Sequence, residues 1–291
     1  MTIRDAMTAS KLRADGTNAS QRATMQFLLD RFRRIPTHWI DGIKPSNGTD
    51  ATNDIDFSAG MALSSNGFCI PIDATSKRLD ATFALGGSAS SPVGGLASAL
   101  TVSNTSYHAH ALFNPENGLS DVGFDTSVTA TNLLADSVAV NAGLTEYCRV
   151  FSFYRTAGAN VVFTAREIAG GGLEVLLAAG VQDVSVNNPG VAAVSYTLSV
   201  PLGVKLDALG VLFSNRSLAG VAHILLTSLD QTDSTPSLTN FTNRNQGLDS
   251  QSTRFGERTN TSGQVRLRTD ASDANLNWRI NTRGWIDERV A

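Results

Sequence analysis

The chain of 291 residues is poor in several things at once. It has two cysteines, Cys69 and Cys148, too few for a disulfide scaffold. Both sit in apolar surroundings, Phe68-Cys69-Ile70 and Tyr147-Cys148-Arg149-Val150, which favours buried thiols acting as small hydrophobes. A bridge between them stays open at this level. Charged residues make up 17% and aromatics 7%, while 42% of the chain is hydrophobic. That balance excludes a disordered chain, which needs few apolar residues and a high net charge. It also excludes a charge-rich coiled coil. No uninterrupted apolar run approaches the roughly 20 residues that span a bilayer, so no membrane insertion is expected. Met1-Thr2-Ile3-Arg4-Asp5 opens no apolar signal-peptide core, which points to synthesis in the cytoplasm.

The net charge is −3, unevenly spread. Residues 1–44 carry eight basic and four acidic side chains, and residues 45–150 carry three and ten. Residues 151–291 carry twelve of each. No stretch is basic enough for a nucleic-acid footprint, so no nucleic-acid partner is expected.

Along the chain, Ser20 can cap a helix through its hydroxyl. From Gln21 to Arg34, Met25, Leu28, Leu29 and Phe32 recur at three- and four-residue spacing and form one apolar stripe. Arg31, Arg33 and Arg34 suit the negative end of the helix dipole, and Ile35-Pro36 ends it. One short helix is marginal in water. This stripe is therefore expected to serve oligomerisation or anchoring.

After Trp39 the pattern becomes short strands separated by dense turn signals, such as Asn47-Gly48, Asn117-Gly118 and Gly170-Gly171-Gly172. Val161–Phe163 and Leu173–Leu177 flank the triple glycine and predict a hairpin. Val194, Tyr196, Leu198 and Val200 alternate with polar residues, as do Val265, Leu267 and Thr269. Leu276, Trp278 and Ile280 do the same, which predicts a buried Trp278. Gly220–Ser228 is continuously apolar, as in a central strand. The expected fold class is mainly β: an N-terminal amphipathic helix followed by two β-rich, sandwich-like domains. The expected segments are 1–35 (helical anchor), 36–180 (β-rich domain) and 181–291 (C-terminal sandwich).

Candidate chemistry is sparse. His108 and His110 fall on one face of a strand, about 7 Å apart, close enough to share a metal. No third ligand follows at a diagnostic spacing, so surface or inter-subunit histidines are the favoured reading. Asp50–Asp56 gathers oxygen ligands that could suit Ca²⁺, yet lacks the EF-hand glycine and terminal glutamate. A turn held by Asx side chains is the preferred reading. Asp121 and Asp125 could pair as glycosidase carboxylates, but no cleft is recognisable. There is no Gly-X-Ser-X-Gly elbow, no His-Glu-X-X-His and no phosphate-binding glycine loop. Neither enzymatic activity nor a cofactor is expected. Trp285 and Trp39 are left as candidate glycan contacts.

Several segments taken together resemble a widespread family of tailed-bacteriophage virion proteins, tail-fibre or virion structural components. They are Trp39-Ile40-Asp41-Gly42-Ile43, Asn47–Gly60, Lys77-Arg78-Leu79-Asp80-Ala81, Ser106-Tyr107-His108-Ala109, Asp121–Ser127, Arg149–Phe153 and Gly284-Trp285-Ile286-Asp287. The match spans about residues 39–291. It implies a non-enzymatic virion component present in multiple copies, and supplies no catalytic residues. The expectation is a homotrimeric tail fibre, or a tail- or baseplate-attached piece, in contact with other virion tail or capsid proteins. A head fibre or decoration protein, and a carbohydrate-binding module that contacts host-surface glycans, are the alternatives.

Overall fold

The computed structural model describes residues 39–218, 220–246 and 250–289. The predicted helix with Met25, Leu28, Leu29 and Phe32 lies outside the described residues. From Ile40 onward the chain is built of strands, as the alternation and turn signals predict. The first half holds β1 (Ile40–Gly42), β2 (Pro45–Asn47), β3 (Asp54–Phe57), β4 (Gly60–Leu63), β5 (Cys69–Ile72), β6 (Thr75–Thr82) and β7 (Val93–Leu96). It continues with β8 (Ser106–Phe113), β9 (Ser120–Asp125), β10 (Glu146–Thr156), β11 (Ala159–Asn160) and β12 (Phe163–Glu167). Then come β13 (Leu173–Asn187), β14 (Val194–Thr197), β15 (Asp207–Arg216) and β16 (Val221–Ser228). The last four are β17 (Asn243–Gln246), β18 (Ser250–Arg258), β19 (Gln264–Thr269) and β20 (Leu276–Asp287). Two helices of one turn each, α1 (Thr131–Leu134) and α2 (Ser137–Asn141), follow β9.

The strands form four sheets. A small sheet has the order β1-β4-β5. The largest runs β11-β10-β8-β9-β7-β6-β3-β2, antiparallel except where β7 pairs in parallel with β6 and β9. A third sheet has the order β12-β13-β20-β15-β18 and a fourth β14-β19-β16-β17. Inward residues of the last two, Leu212, Trp278 and Ile280 against Ile224, Leu226, Val265 and Leu267, belong to one core and make a sandwich. Trp278 is 1% exposed, in line with its alternation. Burying such side chains contributes about 25 cal/mol per Å² of apolar area removed from water.

The predicted hairpin is β12–β13, in register from Phe163↔Leu177 to Glu167↔Leu173. Its turn needs left-handed backbone at Gly170 and Gly171, with φ of 86° and 83°, which glycine adopts without a Cβ penalty. The expected boundary at residues 180/181 falls inside β13, which pairs with β20 on both sides of that point. Phe57, Phe124 and Phe153 from one side of it share a core with Leu212, Trp278 and Trp285 from the other.

A second, smaller core contains Phe83, Leu112, Leu133, Ala139 and Leu144. The two short helices contribute Leu133 and Ala139 to it. It includes Leu112, on the β8 face that carries His108 and His110, and the Tyr147 ring packed against it meets His110. All eight residues of β8 are buried.

Candidate functional site

A polar constellation lies inside the body where β8, β10 and β20 approach one another. On β8, period-two alternation places His108 and His110 on one face, as expected, with ring centroids 6.5 Å apart. They are 1% and 0% exposed, which overturns the expectation of surface or inter-subunit histidines. His108 Nδ1 lies 2.9 Å from Ser152 Oγ on β10, and His110 Nε2 lies 2.9 Å from the carbonyl of Ser127. Burial, reinforced by the charges of His110 and Arg149, pushes His108 down to about 3. Burial pushes His110 down to about 4. Both are neutral imidazoles near pH 7.

Arg149 on β10 donates through Nη1 to Ser152 Oγ at 2.8 Å, so His108, Ser152 and Arg149 form one chain of contacts. Its guanidinium grips Asp287 at the end of β20 with a fork, Nη1 to Oδ2 at 2.6 Å and Nη2 to Oδ1 at 3.0 Å. The Arg289 backbone N–H donates to Asp287 Oδ1 at 2.8 Å, and its side chain reaches the carbonyls of Gly42 and Ile43 beside β1. The end of the last strand is thereby clamped to the first. Burial pushes the Asp287 carboxyl up, but the Arg149 charge and hydrogen bonds hold it below the ordinary carboxylate value.

The remaining candidates have structural partners. Asp125 is 0% exposed and accepts from the N–H groups of Ser127, Asn132 and Leu133, closing the turn into α1. Asp121 is bound to buried Lys77. Neither carboxylate of the Asp121/Asp125 pair faces solvent. In the Asp50–Asp56 stretch, Asp50 accepts from the Thr52 N–H at 3.0 Å and the Asn53 amide at 2.9 Å, an Asx-held turn. Among the described residues no three His, Cys, Asp or Glu are grouped to hold a metal ion. Cys69 and Cys148 are free thiols, and burial pushes Cys148 up to about 11.

Trp285 does not serve as a glycan platform. It is 0% exposed, packed 6.0 Å from the Tyr154 ring. Trp39 is half-buried at the edge of the small sheet, where its carbonyl accepts from Leu63. A cavity of about 120 Å³ opens beside β14, lined by Val186, Pro189, Tyr196, Arg268 and Trp278 among others.

Sequence reasoning missed Lys77–Asp121 and Arg149–Asp287. One signal for the first was present. In Lys77-Arg78-Leu79, strand period places Lys77 on the face of Leu79, and both are fully buried.

No protein-family profile and no curated protein sequence matches the chain. Among solved structures, the infectious bursal disease virus Gt strain is similar at 16% identity, over 86% of this chain and 72% of that one, with a TM-score of 0.21. The infectious bursal disease virus VP2 subviral particle is similar at 12% identity, over 87% and 72%, with a TM-score of 0.22. At those values the likeness carries no argument about fold or function.

Proposed function

We propose that the chain is a non-enzymatic structural component of a virion, a homotrimeric tail fibre or tail-attached piece of the tailed-phage type that its sequence resembles. One observation carries the reading: the segments behind the resemblance are joined to each other inside the body. His108 is joined through Ser152 to Arg149, and Arg149 to Asp287. Tyr107 stacks on Phe153, and Phe124 meets Phe153 edge to face. Lys77 holds Asp121. These signatures make a rigid scaffold. The His, Asp and Arg side chains that could have served catalysis act as internal braces. The glycan-binding alternative loses its main residue, because Trp285 is buried.

Light scattering on the purified chain, with and without residues 1–35, tests the proposal. The expected mass is about three times 30.7 kDa for the full chain, with monomer after truncation. A trimer that survives truncation would move the assembly contacts into the β body. A monomer in both preparations would overturn a fibre that trimerises by itself.

A further inference from the structure

Lys77 and Asp121 face each other across a weak part of the largest sheet. Lys77 lies on β6 and Asp121 on β9, with β7 between them. The β7 ladder is parallel and short. It pairs with β9 only at Leu96↔Phe124, and with β6 at three positions interrupted by a register shift. Lys77 Nζ lies 2.9 Å from each carboxylate oxygen of Asp121. The two side chains are 0% and 4% exposed. Nζ also donates to the Ala84 carbonyl at 2.7 Å, which fixes its direction, and it sits 5.2 Å from the centre of the Phe83 ring. Each carboxylate oxygen receives a backbone N–H, from Val122 at 2.7 Å and from Gly86 at 2.9 Å.

We propose that Lys77 and Asp121 condense into an intramolecular amide, a covalent strap from β6 to β9 over β7. The ammonium first passes a proton to the carboxylate, leaving a neutral amine beside a neutral acid. The amine lone pair attacks the Asp121 carboxyl carbon, forming the N–C bond. One C–O bond then breaks, and that oxygen leaves as water with the transferred proton and a second proton from nitrogen. Ammonium and carboxylate become amide plus water, with no change of oxidation state and no co-reactant.

Three features favour this step. The amine is held 2.9 Å from both oxygens of the carboxyl group it attacks, so it has already given up the freedom that a bimolecular reaction must lose. The Gly86 and Val122 N–H groups are in place to stabilise charge building on the carboxyl oxygens. Burial also works against the ion pair: it pushes Lys77 down and Asp121 up from their ordinary values. Condensation removes both buried charges. Among the described residues, the other ion pairs lack one of these conditions. Arg149–Asp287 is equally buried, but a guanidinium is not a nucleophile at neutral pH. Lys205–Asp230 has an amine, yet both partners are exposed to water.

Intact-mass spectrometry of the purified, denatured chain, followed by peptide sequencing, tests the proposal independently of assembly state. The expected wild-type mass is about 18 Da, one water, below that of the sequence. A branched peptide should join the Lys77 and Asp121 segments, and Asp121→Ala should show its full sequence mass. If Asp121→Ala does not fold, the wild-type branched peptide decides alone. A wild-type chain at full mass after prolonged incubation overturns the proposal. So does a loss of one water mapped to any other position.

Discussion

Asp287 neutralises Arg149 directly and sits against the backbone of Arg289, both of them buried cations. Removing its charge takes the carboxylate fork from the buried Arg149 guanidinium and weakens the electrostatic support of the buried Arg289. Breaking a buried pair from one side costs about 3–5 kcal/mol. Asp287→Asn, nearly the same shape, is therefore expected to lower the unfolding free energy by that amount, read as a lower urea midpoint, and an unchanged midpoint would refute the clamp. The histidines give a second prediction at this scale. In the unfolded chain they take up protons near 6.5, whereas in the folded chain they do so only near 4 for His110 and near 3 for His108. Below 6.5 the unfolded state binds more protons, so stability is full above that pH and falls as pH drops toward those values. The slope is about 1.4 kcal/mol per pH unit for each histidine. Denaturant titrations at pH 7, 6 and 5 should show it, and replacing both histidines by Gln should flatten it. A wild-type chain equally stable at pH 7 and pH 5 would remove the argument.

Gly94 lies where β7 approaches β6, and a Cβ there would collide with the Thr82 carbonyl oxygen. Both atoms are backbone or directly bound to it, so neither can swing aside. Gly94→Ala should push the parallel seam apart and cost about 1–3 kcal/mol, read as a lower thermal midpoint. A midpoint within error of wild type would mean that the seam gives way freely. The same elements show what the sequence could reveal. β19 and β20 were legible because each has one clear inward face, and β16 because it is mostly apolar and almost wholly buried. β8 was only half legible. Its alternation was correct, but the polar face is covered by the second core at Leu112 and by Ser152 and Gly203 at His108, and polarity alone places such a face in solvent. The covering helices are four and five residues long, too short for a 3.6-residue stripe to register. The braces on Asp287 and Asp121 join residues 138 and 44 positions apart, a distance that no local pattern spans.

On the scale of the whole molecule, the question is whether residues 36–180 and 181–291 melt apart. β13 belongs to both, and its first residues, Leu173–Leu176, pair with Ile286, Trp285 and their neighbours on β20. Arg149 and Tyr154 from the largest sheet contact Asp287 and Trp285 from the third. Asn47 at the edge of the largest sheet donates to the Phe163 carbonyl on β12. Separating the halves would uncover Trp285 and expose a charge pair formed 138 positions apart. That cost is the reason to expect the two halves to unfold as one cooperative unit. The expected result is one transition in urea, with far-ultraviolet dichroism, which reports all four sheets, superimposed on tryptophan fluorescence, to which β20 contributes two of the three tryptophans. A fragment of residues 181–291 lacks β12 and the start of β13, so it should show no folded baseline. Two separate dichroism steps, or a fragment that melts cooperatively by itself, would establish two independent domains, and the internal braces would then be contacts between them.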